Sequence, residues 1–384
     1  QAISILKEKN IDLWLIFVRE SSTMRDPILE IIVGTNVTWQ SAFLINSNGD
    51  RTAIIGSLDV ANMKTVGTFE NIEGYVKSVR EPLLNYLNKY KPKKIAINYS
   101  TNSNLADGLT YGMFLILNKM LEGTEFKDRL ISSEEIISAL RGRKSKAEIE
   151  FIKSAIVETE KIFDEVTKFL KAGLSEKDVA EFILSKVEEK GFELAWDKDH
   201  CPAVFTGPNS AGAHAGPTNS IIEKGHILNI DFGIKYNGYC SDMQRTWYFL
   251  RDDETEAPEN VKKGFEVLRD SIQKAKEKIK PGVTGCEVDD VARNYIKENG
   301  FDEYQHGLGH QLGRSAHDGG GGLFPRWERY GNLPFLEIEV GQVFTIEPRL
   351  FVKDHGIVTM EEIITVTENG CEYLSHPQIG RAHV

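Results

Sequence analysis

The chain has 384 residues, 41% of them hydrophobic and 27% charged, with 57 acidic against 46 basic side chains and a formal charge of −11. That length suggests two domains around a sizeable core, and the composition excludes disordered and fibrous classes. A net negative chain without long basic runs has no electrostatic footprint for nucleic acid and is repelled by an anionic membrane surface.

Cys201, Cys240, Cys286 and Cys371 form no CxxC pair, so neither a zinc ribbon nor a disulfide framework is expected, and a reducing compartment fits. The strongest apolar run, Leu13 to Val18, is too short to cross a bilayer or to form the core of a signal peptide. The reading is a soluble cytoplasmic protein. Because the chain starts at Gln1 without Met, a few native residues are expected to precede it.

The first part of the chain alternates strand-like and helix-like segments. Leu13 to Val18 reads as a buried strand, Ala42 to Ile45 and Thr52 to Ile55 as a hairpin around Asn48-Gly49, and Lys94 to Asn98 as a further short strand. A helix is expected over Ser133 to Leu140. The basic segment Arg141 to Ser145 then reads as a linker, dividing an α/β domain at 1–142 from a second domain at 143–384. No catalytic motif precedes it.

The second domain opens on a long amphipathic helix marked by Ile149, Ile152, Ile156, Phe163, Val166 and Leu170, ending near Gly173. Two segments of equal length follow at a distance from each other, Lys171 to Phe192 and Lys280 to Phe301. Each has Gly at its third place, Ser or Thr at its fifth where an N-cap belongs, an acid three residues later (Asp178, Glu287), and a closing Gly-Phe. The likeness continues into strands: Glu223 to Asp231 matches Glu339 to Glu347 at a constant offset of 116 residues. This is an internal repeat that delivers one carboxylate per half at the same place. A second acid follows in each half, Asp242 after the turn at Asn237-Gly238 and Glu361 after Asp354 to Gly356.

With Asn237-Gly238 as a two-residue turn, Tyr236 faces Tyr239 and Asp231 faces Gln244, and strand alternation puts Asp242 on the face of Asp231. Burying two unneutralised carboxylates side by side raises a pKa or costs several kcal/mol, so a cation is the natural compensation. Between the paired acids lies His306-Gly-Leu-Gly-His310-Gln-Leu-Gly-Arg-Ser-Ala-His317, three of the chain's nine histidines within twelve positions. Four carboxylates plus an imidazole form a hard donor set suited to two Mn²⁺, Co²⁺ or Fe²⁺ ions, with Zn²⁺ as a further candidate, and such cations generate a hydrolytic nucleophile near neutral pH. The glycine run 319–322 lacks the strand and lysine of a phosphate loop and reads as a flexible active-site loop.

These residues resemble the metallopeptidases of the pita-bread fold, in the Xaa-Pro aminopeptidase and Xaa-Pro dipeptidase (prolidase) branch. The fragments that carry the resemblance are NIDFG, SDMQRT, HGLGHQLG, TIEP and MEE around Asp231, Asp242, His310, Glu347 and Glu361. It implies an α/β (α+β) architecture, an N-terminal α/β domain followed by a pseudo-two-fold catalytic domain. It also implies hydrolysis of an Xaa-Pro bond at the N-terminus of peptides or in dipeptides, and a homodimer. Asp231 and Asp242 are then expected to bind one metal, with Asp242, Glu347 and Glu361 bridging or binding toward a second that His310 completes. Glu347 is implied to take a proton from the attacking water as well. His214, within NSAGAH, matches the upstream histidine of the family, and His306 and His317 match those flanking the ligand histidine. Two positions depart: many relatives carry arginine where this chain has Thr359, and glycine where it has Arg349. The competing readings are a methionine-aminopeptidase-like or creatinase-like hydrolase and a non-catalytic peptide-binding module. Creatinases and silent modules lose ligands that this chain keeps, and methionine aminopeptidases usually lack such an N-terminal domain.

Overall fold

The structure, a computed structural model, describes residues 1–210, 212 and 216–378. Two compact units divide the chain, Gln1–Arg141 and Gly142–Val384. No helix among the described residues is long and apolar enough to cross a membrane.

The first unit is organised by the strand Leu13–Val18, buried at all six positions. Its side chains alternate between two cores: Trp14, Ile16 and Val18 pack with Phe43 and Ile55, and Leu13, Leu15 and Phe17 pack with Leu44 and Ile54. Burial of both faces is why this segment is continuously apolar rather than alternating. The strand lies within a six-stranded mixed sheet, in the order Asn71–Tyr75, Arg51–Gly56, Ser41–Asn46, Leu13–Val18, Ile95–Ile97, Leu130–Ser132. The expected hairpin forms with Ala42 opposite Ile54 and Ile45 opposite Arg51, and Gly49 takes φ 107° at its turn.

The helix expected over Ser133 to Leu140 runs Glu134–Gly142, so Arg141 and Gly142 belong to it rather than to a linker. The basic stretch is not solvated either. Arg141 Nη1 donates to the Pro27 carbonyl at 3.1 Å, Arg143 makes bidentate hydrogen bonds to Glu339 at 2.7 and 2.8 Å, and Lys144 is buried. Each cation has a partner distant in sequence, which its own polarity does not reveal.

The second unit shows the repeat in three dimensions. The long helices Lys146–Phe169 and Glu259–Lys278 each precede a shorter one, Glu176–Lys190 and Gly285–Glu298. Both shorter helices start with the expected capping box, Ser175 with Asp178 and Thr284 with Glu287, which satisfies otherwise orphaned backbone donors. Gly173 N donates to Ile222 O and Gly282 N to Ile338 O, each at 2.9 Å, and bridges join Ser175 to Ile221 and Thr284 to Glu337. Each half has its own apolar core, one containing Ile156, Val179, Ile230 and Trp247 and the other Leu268, Val288, Ile346 and Ile364. Where the halves meet, Arg245 donates to the carbonyls of Gln244 and Glu361 and pairs with Glu362 at 3.1 Å. That meeting line is where the paired acids lie.

Candidate metal centre

The strand Ile227–Phe232 carries Asp231 and pairs with Met243–Tyr248, placing Asp231 directly opposite Gln244. Tyr236 faces Tyr239 across Asn237 (φ 52°) and Gly238 (φ 79°), a turn open to residues that tolerate positive φ. In the second half Val343–Ile346 pairs with Glu362–Val366, Ile346 opposite Glu362. This ladder corresponds to the first with Ile346 in the place of Ile230 and Glu362 in that of Arg245, so Glu361 occupies the place of Gln244, and Thr359 that of Asp242. The first acids of the two halves are thus equivalent by the repeat and the second acids are not.

His310 arrives on the short strand Gly309–His310 beside the second half's ladder. Its backbone N–H donates to Thr345 Oγ1 at 3.1 Å, and Gly309 is required because a Cβ there would stand 2.0 Å from Thr345 O. His310 Nδ1 lies 3.3 Å from the Gln311 carbonyl. Because a carbonyl only accepts, Nδ1 carries the hydrogen and Nε2 is free to face the acids. Nε2 stands 3.2 Å from Glu347 Oε1 and 3.6 Å from Asp242 Oδ2. One ligand atom each from Asp242, His310 and Glu361 falls within 4.8 Å of the others.

Among the described residues, Asp231 Oδ1 and both carboxylate oxygens of Glu361 are buried without a hydrogen-bond partner. Burial pushes the Asp231 and Glu361 carboxyls well above the usual carboxylate range, and the neighbouring acids push them further. Asp242 rises to about 7, raised by burial and by Glu347 against the opposing charge of His310. Burial alone would lower His310, but the hydrogen bond and charge of Glu347, with Asp242, hold it up at about 9. Glu347 goes the other way: burial raises it, and the hydrogen bond and charge of His310, with His306 and His317, bring it below its ordinary value. Acids that repel one another and bare oxygens with no donor are what a divalent cation neutralises, so the residues fit metal.

Two further side chains orient Glu347. Thr345 Oγ1 donates to its Oε1 at 3.3 Å, and Gln244 Nε2 donates to its Oε2 at 3.2 Å. Gln244 is in turn held by the Thr359 hydroxyl, which donates to its Oε1. Along the sequence Gln244 is legible as the residue opposite Asp231, but its contact with Glu347 is not. The signal was present in its register, since the residue facing a buried acid is positioned to touch the same site.

The His317 ring stands 4.1 Å from the His310 ring, edge to face. His306 lies beside Tyr304, with its Nδ1 2.7 Å from the Gly307 carbonyl, and burial lowers its pKa. His214 lies outside the described residues. The 319–322 run is packed rather than open as a flexible loop: Cβ atoms at Gly319 and Gly322 would meet Gln311 at 2.4 Å and Phe324 at 2.1 Å, and Gln311 Nε2 donates to Gly321 O. Its glycines serve close approach. Arg349 is half-buried near Glu347; burial lowers its pKa and the Glu347 charge raises it.

Comparison with known proteins supplies the family. Residues 150–368 match the model of metallopeptidase family M24. The chain is 31% identical over 338 residues to an uncharacterized peptidase of Staphylococcus saprophyticus, covering 87% of each chain. It is 31% identical over 273 residues to an Xaa-Pro dipeptidase of Pyrococcus horikoshii, covering 71% of this chain and 72% of that one. Among solved structures, an X-Pro aminopeptidase from Thermotoga maritima superposes with a TM-score of 0.74 at 25% identity, over 99% of this chain and 100% of that one. An Xaa-Pro dipeptidase from Bacillus anthracis shares the fold with a TM-score of 0.76 at 23% identity, over 100% and 99%. The chain belongs to metallopeptidase family M24, with the pita-bread catalytic fold of that family behind an N-terminal domain.

Proposed function

We propose that this metallopeptidase hydrolyses the bond between an N-terminal residue and a following proline, using two divalent cations held by Asp231, Asp242, His310, Glu347 and Glu361. The observation that carries the reading is the set of orphaned, buried carboxylate oxygens gathered around His310 Nε2. Resemblance to the Pyrococcus horikoshii Xaa-Pro dipeptidase supports the proline preference. Mn²⁺ and Co²⁺ suit the oxygen-rich donors best.

Bound cations supply Lewis acidity toward the scissile carbonyl and lower the pKa of the hydrolytic water. Glu347 accepts the proton of that water, its carboxylate held in one orientation by Thr345 and Gln244. His317, against His310, donates toward the oxygen that gains charge as the carbonyl becomes tetrahedral. The proline nitrogen has no hydrogen in the peptide bond and must receive one to leave, a transfer that falls to His317 or His306, or to His214 as the resemblance implies.

The test is hydrolysis of Ala-Pro and Ala-Pro-Ala against Ala-Leu after loading with Mn²⁺ or Co²⁺, beside elemental analysis. Two metals per chain with cleavage before proline is the expected outcome. Equal rates on Ala-Leu remove the proline preference, and a single metal removes the dinuclear centre. The homodimer implied by the resemblance is part of the same proposal and is checked by light scattering on the eluted protein.

A further inference from the structure

The segment that carries His306 and His310 is gripped by a buried ion pair. Asp289 and Arg293 stand one turn apart on the helix Gly285–Glu298, with side chains 0% and 7% exposed. Arg293 Nε donates to Asp289 Oδ2 at 2.7 Å and Nη2 to Oδ1 at 2.8 Å, a bidentate fork. The fork reaches further: Nη1 donates to the Tyr304 carbonyl at 2.6 Å and Nη2 to the His306 carbonyl at 2.8 Å. Asp289 Oδ1 in turn accepts from the backbone N–H of Leu308 at 3.0 Å. The pair thus holds the backbone at every second residue, 304, 306 and 308. The Leu308 carbonyl accepts from the backbone N–H of Glu347 at 2.7 Å, so the same segment is tied to Glu347.

The internal repeat shows that the fold does not need this pair. In the first half the matching helix, Glu176–Lys190, carries Ala180 and Leu184 at the places of Asp289 and Arg293. The core residues around them correspond, Val179 with Val288 and Val187 with Ile296. Between that helix and Asp231 the first half has no proposed metal ligand, whereas His310 lies between the second helix and Glu347. A buried ion pair is often no more stabilising than apolar residues of similar volume. What it adds here is direction, because a planar fork fixes several acceptors at once.

We propose that Asp289 and Arg293 are positioning residues for hydrolysis: by fixing the backbone at 304, 306 and 308 they aim the His306 imidazole and hold His310 in register with Glu347. Their effect on turnover rests on the catalytic centre proposed above, whereas their grip on the segment does not. Neither side chain touches substrate or metal in this role. Each acts through the backbone that bears the histidines.

The test gives the second helix the residues of the first, combining Asp289→Ala with Arg293→Leu, and sets this double variant beside Arg293→Lys and the parent, all loaded with Mn²⁺. Removing both partners together leaves no bare charge, so the double variant is expected to fold and to keep parental metal content. Its kcat on Ala-Pro should fall about 10- to 100-fold with KM near the parent value, the usual cost of loosening groups that orient a site. Arg293→Lys keeps the charge but loses the fork, and its kcat should fall between the two. Hydrogen exchange over 304–310, followed by mass spectrometry, gives a readout apart from turnover and should quicken in the double variant while the helix Gly285–Glu298 keeps its protection. Parental kcat in a folded double variant overturns the proposal, as does a loss of kcat that only follows a loss of metal. Should the double variant not fold, Arg293→Lys decides, and parental kcat there overturns the proposal. Cleavage of Ala-Leu but not Ala-Pro removes the proline reading, and the variants are then compared on Ala-Leu. If the parent cleaves neither, the proposed function falls and exchange decides the grip, with parental exchange in the double variant overturning it.

Discussion

Lys144 Nζ lies 3.7 Å from Asp318 Oδ2, with the two side chains only 1% and 3% exposed. Lys144 also donates to the Asp318 carbonyl at 3.3 Å, and the backbone N–H of Arg314 donates to Asp318 Oδ2 at 2.7 Å. The pair ties the start of the second unit to the residue that follows His317. Replacing Lys144 by Met removes one partner of a buried pair and is expected to destabilise the fold by about 3 kcal/mol, read from urea unfolding. Loss of less than about 1 kcal/mol would mean that water or another group compensates Asp318.

His310→Ala and Asp242→Ala each remove a donor from the cluster proposed to hold the metal. Both variants are expected to lose bound metal by elemental analysis and to lose peptidase activity with it. Two tightly held metals with parental turnover in both variants would sink the ligand assignment.

Glu347→Gln keeps the shape of the side chain but removes its basicity. A drop in kcat of about 10²- to 10⁴-fold is expected, the range for loss of a general base. An unchanged kcat with parental metal content would place the base elsewhere.

His317→Ala is expected to lose about 2 kcal/mol of transition-state stabilisation, on the scale of one oxyanion donor, while metal content stays near the parent value. The same outcome is expected for His214→Ala. If both variants keep parental kcat/KM and lose only thermal stability, these histidines pack rather than act.

The acid cluster makes the stability of the metal-free protein depend on pH. A carboxyl whose folded pKa is raised, as Asp242 from 3.8 to about 7, contributes stability that is present at low pH and lost as pH rises through about 7. His310, raised from 6.5 to about 9, contributes stability below 6.5 that is lost as pH rises through about 9. Glu347 runs the opposite way, since its lowered pKa contributes stability that is lost on acidification. With Asp231 and Glu361 also raised, the Tm of the protein in chelator should fall between about pH 5 and pH 9. The protein loaded with Mn²⁺ should be stabilised most at the alkaline end. Parallel Tm curves with and without metal would show that these groups are not coupled to it.

Much of the molecule is legible along the chain where the physics is local. The apolar run of Leu13 to Val18, the capping boxes at Ser175 and Thr284, and the turn at Asn237-Gly238 depend on neighbours a few residues away, and each forms as read. Strand periodicity extends that reach across one hairpin, which is enough to set Asp231 opposite Gln244. The internal repeat extends it further, because two like segments must fold alike.

What only the tertiary structure decided is which distant side chains meet. Arg141, Arg143 and Lys144 read as a basic linker, yet they find Pro27, Glu339 and Asp318. Thr359 and Arg349, two separate departures along the chain, are cross-strand partners on one face. The repeat equates Asp231 with Glu347, but ladder register equates Glu361 with Gln244, so the second acids come from different places in the two halves. Chain order encodes propensity and period over short spans. The partners of a buried charge are set by how each unit packs, where desolvation makes an unmatched cation or carboxylate costly.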